Sequence, residues 1–420
     1  MPARLGSSLR PSDLQLSPLE VARGLSQRPG FFWIDSATED DGHVSVLTCD
    51  PVATLSGDRD DWDRLRAKLD DLRRYLDNDP QEHDLGLPGP GLFGSIDFDG
   101  RWHFGVYPEI LVYHHGSDQW WTHGNLGTRI DRLRVEAAAA SLPRLDFQPL
   151  WTRDGFLAAV DQALAYIRNG DIYQVNLAQP WRSHWPSELD LFPFYQRLRS
   201  FSPAPQAAFY RLGERQVASA SPELFLRLSG RTIRTRPIKG TRPRHRSVQE
   251  DERAAYDLIT SPKEVSELIM ITDLERNDLG QVCEFGSVTV PDMLRLERYE
   301  QVFHLVSTVE GTLRPDVDHL AAVWACLPGG SISGAPKSRA LEIINELEPF
   351  PRGLYTGVIG WIGVNSESQF SIAIRTAINE ADNLHFHAGA GIVADSDPVR
   401  EYEETWQKAS TLLGVATWHG

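Results

Sequence analysis

Residues 152–178 read TRDGFLAAVDQALAYIRNGDIYQVNLA. Thr152 can cap a helix running to about Asn169, because its hydroxyl can accept an amide that the first turn leaves free. Phe156, Val160, Leu164 and Ile167 recur on one face at helical spacing, and Gly170 stands just past the end. Residues 172–178 then read as a strand. Beyond this stretch, helical and strand patterns mix with no steady strand–helix–strand alternation. That irregularity predicts an α+β chain with largely antiparallel sheets, not a doubly wound parallel fold.

Working back from there, residues 31–35 and 44–49 read as strands, the second closed by Asp50-Pro51. Trp62, Leu65, Leu69, Leu72 and Leu76 recur with helical period over residues 60–76, and residues 77–80 (DNDP) stop the helix. A glycine-proline loop at 87–91 leads into the apolar stretch 92–96. Residues 110–114 and 120–124 look like paired strands. The alanine run 137–140 ends a helix, and the likeliest internal seam lies near 141–150. The chain is therefore expected to divide into an N-terminal part, 1–145, and a second region, 150–416, while the further part of the sequence predicts a helix from Pro398 that closes at Gly414.

At 420 residues, 41% hydrophobic and 24% charged, the composition is that of a folded globular chain. A formal net charge of −16 argues against nucleic-acid binding. Cys49, Cys283 and Cys326 are far apart and form no metal or disulfide pattern. No apolar run approaches a membrane span, and residues 1–8 contain no apolar signal core. A reduced, cytoplasmic protein with no membrane contact is expected.

Candidate chemistry begins with Lys239, in Arg236-Pro237-Ile238-Lys239-Gly240-Thr241. An amine is a nucleophile only without its proton, and burial, positive neighbours or a nearby metal ion favour that form. Glu264 and Glu267 stand three apart on a predicted helix, hence on one face. Glu401 and Glu404 repeat the spacing behind Ser396-Asp397-Pro398, a helix start, with Lys408 four residues beyond Glu404. All-carboxylate ligands suit a hard cation, Mg²⁺ before Zn²⁺. Solvated acidic faces would read the same way, and spacing alone does not bring the two helices together. The small-residue segment 388–395 permits close approach to backbone. The glycine-rich loop 328–337 before a helix is either an anion site or a tight turn. Arg375, a charge inside the apolar stretch 371–378, calls for a carboxylate from the protein or from a substrate. The cluster Arg234, Arg236, Arg242, Arg244 and Arg246 reads equally as an exposed basic hairpin.

Several stretches together carry a resemblance: 170–177 (GDIYQVNL), 221–226 (SPELFL), 236–241 (RPIKGT), 273–280 (DLERNDLG), 328–337 and 389–396. The chain resembles the chorismate-utilising enzymes, densest from 152 to 413, and within them the aminodeoxychorismate synthase component I branch. That resemblance implies an antiparallel sandwich with helices outside. It implies an Mg²⁺ cage of Glu264, Glu267, Glu401 and Glu404, and chorismate clamped by Arg375, Tyr355 and the backbone at Gly391. Gly389, Ser331, Lys408 and Gln174 fall in the same substrate set. Thr241 and His304 are placed beside the ring. Lys239 is implied to add covalently to the ring, with Glu223 as the acid that protonates the departing hydroxyl. Anthranilate synthases resembling this chain usually carry alanine at the position of Lys239. Isochorismate and salicylate synthases carry a lysine base at the position of Gln174. Ammonia is implied to come from a separate glutamine amidotransferase subunit or from free ammonium, since no glutaminase signature is visible. Residues 32–37 match a stretch that lines a tryptophan pocket in relatives, and 91–99 follow the family pattern only loosely. The rivals are an anthranilate synthase component I and a catalytically silent subunit of the same fold.

Overall fold

The computed structural model describes residues 9–36, 44–76, 86–135, 142–186, 188–299 and 302–417. The expectations at 1–8, 77–80 and 137–141, and at Ala37, lie outside the described residues. Two sheets of twelve and ten strands form the frame, and the strand pairs within them are antiparallel. Strands from before residue 145 share both sheets with strands from after 150. Phe32–Asp35 pairs with Gln206–Leu212 in the larger sheet, and Gly91–Ile96 pairs with Val358–Gly363 in the smaller. The expected seam is thus a point along one continuous sandwich.

The apolar filling between the sheets includes Phe32, Phe93, Tyr210, Ile359 and Trp361, all buried. Phe32 stacks on Tyr210 with ring centroids 4.8 Å apart. Each such side chain contributes about 1.5–3 kcal/mol by leaving water. Helices cover the outer faces. Pro18–Leu25, Phe192–Phe201 and Pro398–Thr417 pack on the larger sheet, and Trp62–Leu76 and His319–Cys326 on the smaller. Val248–Ile259 and Pro262–Gly280 pack against the strand Val302–Thr312.

The periodicity at 152–169 forms the helix Arg153–Arg168, and Thr152 accepts the Gly155 amide at 3.2 Å. The following strand is longer than 172–178 suggests, running Gln174–His184. The C-terminal helix does not stop at Gly414 but continues to Thr417. Gly414 serves a close approach there: a Cβ would stand 2.7 Å from Phe201 Cζ. Residues 371–378 are not one strand. Glu367–Ile372 ends in the smaller sheet, Thr376–Glu380 begins in the larger, and Arg375 makes the bend between them with φ of +49°. Apolar residues continue through the switch, so the sequence pattern conceals it.

That switch is one of four places where the chain passes directly from one sheet to the other. Another is Pro222-Glu223, between Arg215–Ser221 and Leu224–Ser229. These two crossovers lie side by side: Ala220 N donates to Arg375 O at 3.1 Å, and Ile372 N to Glu223 O at 3.1 Å. The other two, at 49–52 and 108–109, are adjacent in the same manner at the N-terminal end.

Candidate active site

The paired crossovers bring Glu223 and Arg375 onto adjacent turns of the chain. The guanidinium of Arg375 makes no ion pair or hydrogen bond among the described residues. Burial lowers its pKa, as expected for a guanidinium without a counter-charge. Glu223 is 5% exposed. Burial pushes its carboxyl above the usual range, against the opposing charges of Lys239 and Lys408. The Ser331 hydroxyl faces Glu223, but Ser331 Oγ has no partner with normal hydrogen-bond geometry.

Lys239 is half-buried on the strand Ile238–Pro243. Its ammonium lies 3.3 Å from the Ser331 carbonyl and interacts with Glu223, Glu267 and Glu404. Next to it Gly240 adopts φ of +74°, pressed against Leu258 and Glu264 where a Cβ would collide. That kink brings Thr241 Oγ1 within 3.0 Å of His304 Nδ1. His304 is buried, and desolvation together with the charge of Arg375 pulls its pKa down to about 4. It is a neutral imidazole at neutral pH.

The two acidic pairs do converge. Ser261 caps the helix Pro262–Gly280, which carries Glu264 and Glu267, and Glu401 and Glu404 lie early in Pro398–Thr417. All four act on Lys263, whose pKa their charges raise against the opposing effect of burial. Glu267 and Glu401 are both raised, chiefly by desolvation, and each keeps a buried carboxylate oxygen without a hydrogen bond, that of Glu267 lying 3.9 Å from the Lys263 ammonium. For Glu404 burial is the largest influence, but Lys408 at 2.7 Å outweighs it and the net shift is downward. Arg242 stands 3.5 Å from Glu264. Among the described residues no three carboxylates already stand around one point at ligating distance. Orphaned, desolvated carboxylate oxygens on two facing helices are nonetheless what a hard divalent cation would satisfy.

In the larger sheet, Asn176 pairs with Gly391 in the ladder between Gln174–His184 and Asn383–Ile392. The amide of Gln174 is buried with both polar atoms unpartnered, and its Nε2 would lie 2.8 Å from a Cβ at Gly391. A Cβ at Gly389 would meet Asn176 Oδ1 at 2.6 Å and the Tyr355 hydroxyl at 3.0 Å. Lys408 donates to the Gly389 carbonyl at 2.9 Å. Tyr355 stacks on His387 with centroids 5.2 Å apart.

Pairwise interactions therefore link Lys239 to Glu223, Ser331, Glu267 and Glu404, Lys408 to Glu223, Glu404 and Gly389, and Arg375 to His304. The arginine cluster does not form a free basic patch: Arg234, Arg236, Arg242 and Arg244 pair with Glu310, Glu297, Glu264 and Asp251. Sequence reasoning missed Lys263, Asn176 and a buried trio, Glu275, Asp278 and Lys337, behind the loop 328–337. The trio had a legible signal: Glu275 continues the buried stripe of Leu268, Ile271 and Leu279.

Comparison with known proteins agrees with this geometry. The family model described as chorismate binding enzyme matches residues 32–414. Anthranilate synthase component 1 of Thermus thermophilus is 48% identical over 82% of this chain and 75% of its own length. Aminodeoxychorismate synthase component 1 of Bacillus subtilis is 39% identical over 88% of each chain. The crystal structure of anthranilate synthase component I from Streptococcus pneumoniae superposes with a TM-score of 0.78 at 30% identity, covering 89% of this chain and 93% of that one. The menaquinone-specific isochorismate synthase of Escherichia coli, 18% identical, shares the fold with a TM-score of 0.75 over 98% of this chain and 95% of its own. The chain belongs to the chorismate-binding enzymes.

Proposed function

We propose that this chain aminates chorismate at C4, giving 4-amino-4-deoxychorismate for p-aminobenzoate and folate synthesis, as an aminodeoxychorismate synthase component I. The observation that carries this reading is the setting of Lys239, a half-buried amine facing the raised carboxyl of Glu223. Glu264, Glu267, Glu401 and Glu404 would hold Mg²⁺. When bound, that ion supplies positive charge beside the ring carboxylate and makes the conjugated ring electrophilic.

Arg375, uncompensated by the protein, takes the enolpyruvyl carboxylate, with Tyr355 and the bare backbone at Gly389 and Gly391 shaping the contact. Lys239, as the free amine, forms a bond to C2 while the C4 hydroxyl departs. Glu223, in the protonated form that burial favours, gives that hydroxyl its proton and it leaves as water. Neutral His304, held by Thr241, orders the ring without adding charge. Ammonia then bonds to C4 and the amine of Lys239 is expelled from C2. Chorismate and ammonia thus become 4-amino-4-deoxychorismate and water. The cysteines are all free and buried, and burial lifts Cys49 to about 12 and Cys283 to about 11. A thiolate to hydrolyse glutamine is not supplied by them, which supports a separate glutamine amidotransferase subunit as partner.

The second reading, anthranilate synthase component I, is favoured by the 48% identity to the Thermus protein. It would aminate C2 and release pyruvate. Mass spectrometry of products from chorismate, Mg²⁺ and ammonium separates the two. The first reading predicts an aminated product that keeps the enolpyruvyl group; anthranilate with pyruvate would replace it with the second. Unconsumed chorismate would point to a silent subunit.

A further inference from the structure

Behind the loop that carries Ser331 lies a buried carboxyl with no part in the chemistry above. Glu275 is 2% exposed on the inner face of Pro262–Gly280. Its Oε1 accepts the Gly330 amide at 2.9 Å, and its Oε2 has no partner. Gly330 is pressed so closely onto the helix that a Cβ would stand 2.7 Å from Leu274 Cδ2 and 3.1 Å from Glu275 Oε1. The next residue is Ser331, whose carbonyl accepts from Lys239 and whose hydroxyl faces Glu223. The groups facing Glu275 are Asp278, Lys337, Glu223 and the thiol of Cys326. Asp278 is itself tied to Lys337 at 2.5 Å, and the two act on Glu275 in opposite directions.

We infer that Glu275 is a positioning residue: its carboxyl fixes the Gly330 amide and thereby aims the Ser331 carbonyl at the Lys239 amine. The proposal rests on the C4-amination reading. Desolvation, aided by Asp278, lifts Glu275 to about 8, so at pH 7 it acts as a neutral hydrogen-bond acceptor. A neutral amide can replace it in that role, and an apolar side chain cannot. A carboxyl one methylene shorter keeps the acid but loses the reach.

The test compares the wild-type chain with Glu275→Gln, Glu275→Leu and Glu275→Asp in ammonium-dependent amination at pH 7 with saturating Mg²⁺. Wild-type turnover comes first: if it yields no 4-aminated product, the functional reading fails, whatever the variants do. Given wild-type amination, Glu275→Leu and Glu275→Asp are expected to lose about tenfold in kcat with KM for chorismate within twofold, and Glu275→Gln to stay within twofold of wild type. Thermal melts establish that the variants are folded. If Glu275→Leu fails to fold, Glu275→Asp, which keeps the acid and most of the volume, carries the comparison with Glu275→Gln. Wild-type kcat in a folded Glu275→Leu or Glu275→Asp overturns the inference. So does a Glu275→Gln variant as slow as the other two, because the group would then act through its proton or charge.

Discussion

The sandwich has two pairs of sheet crossovers, and they treat charge in opposite ways. At the N-terminal pair the charged residues satisfy one another. Asp50, with φ of +55°, pairs with Arg28 at 2.8 Å and Arg129 at 3.1 Å, and Arg129 also reaches Glu109 at 2.5 Å. At the other pair Arg375, with φ of +49°, and Glu223 stand at corresponding bends, and neither has an ion pair among the described residues. The backbone solution is the same at both ends. One end closes its charges into a lock, and the other leaves the Arg375 guanidinium without a counter-charge among the described residues. Uncompensated buried charge costs stability, and its retention at one end is the pattern expected of a binding site.

The comparison can be broken most forcefully at Lys239, which the proposed mechanism sets against the ring. Lys239→Ala is expected to cut C4 amination by on the order of 10³-fold or more, because the covalent route closes, with the melting temperature little changed. Wild-type amination kinetics in that variant would remove the mechanism. The two arginines then give a paired test. Arg375→Met should lower kcat/KM for chorismate by roughly 10²-fold, through a lost charge-assisted contact, and should leave stability equal or higher. Arg129→Met should do the reverse, costing roughly 1–2 kcal/mol in denaturant unfolding while kcat/KM of the folded enzyme is kept. Equal effects of both on stability would erase the distinction.

A smaller effect is expected in the acidic cage. Glu404→Gln should raise the Mg²⁺ needed for half-maximal activity by about tenfold, with little change in unfolding. An unaltered Mg²⁺ titration would take Glu404 out of the cage. The last concerns His304, whose folded pKa of about 4 lies below that of an unfolded histidine. Between pH 6.5 and 4 the unfolded chain binds more protons at this site, so stability is present above that window and is lost as pH falls through it. The change reaches roughly 3 kcal/mol at most. His304→Gln should flatten that part of the stability profile, and an identical slope in the variant would show the imidazole to be free to charge.

What could be read in advance follows from the range of the interactions. The carboxylate pairs were legible because helical spacing fixes the face of a residue from neighbours three apart. The Thr152 cap and the strands flanking 152–178 were legible for the same local reason. Arg375 was recognised as a charge in apolar surroundings, but its bend was not, because Ile372, Ala373 and Ile374 keep the pattern of a strand across a change of sheet. Gly414 was misjudged as a terminator because the aromatic ring it accommodates, Phe201, is more than two hundred residues away in sequence. The buried trio behind the loop depends on three segments meeting, which only the assembled sandwich reveals.

The most direct measurement of the central claim is intact-protein and peptide mass spectrometry of the chain mixed with chorismate and Mg²⁺ without ammonia. The account predicts a covalent adduct with the mass of chorismate less one water, located on the peptide containing Lys239 and absent from Lys239→Ala. An enzyme that aminates chorismate at full rate while that peptide never carries the adduct would contradict it.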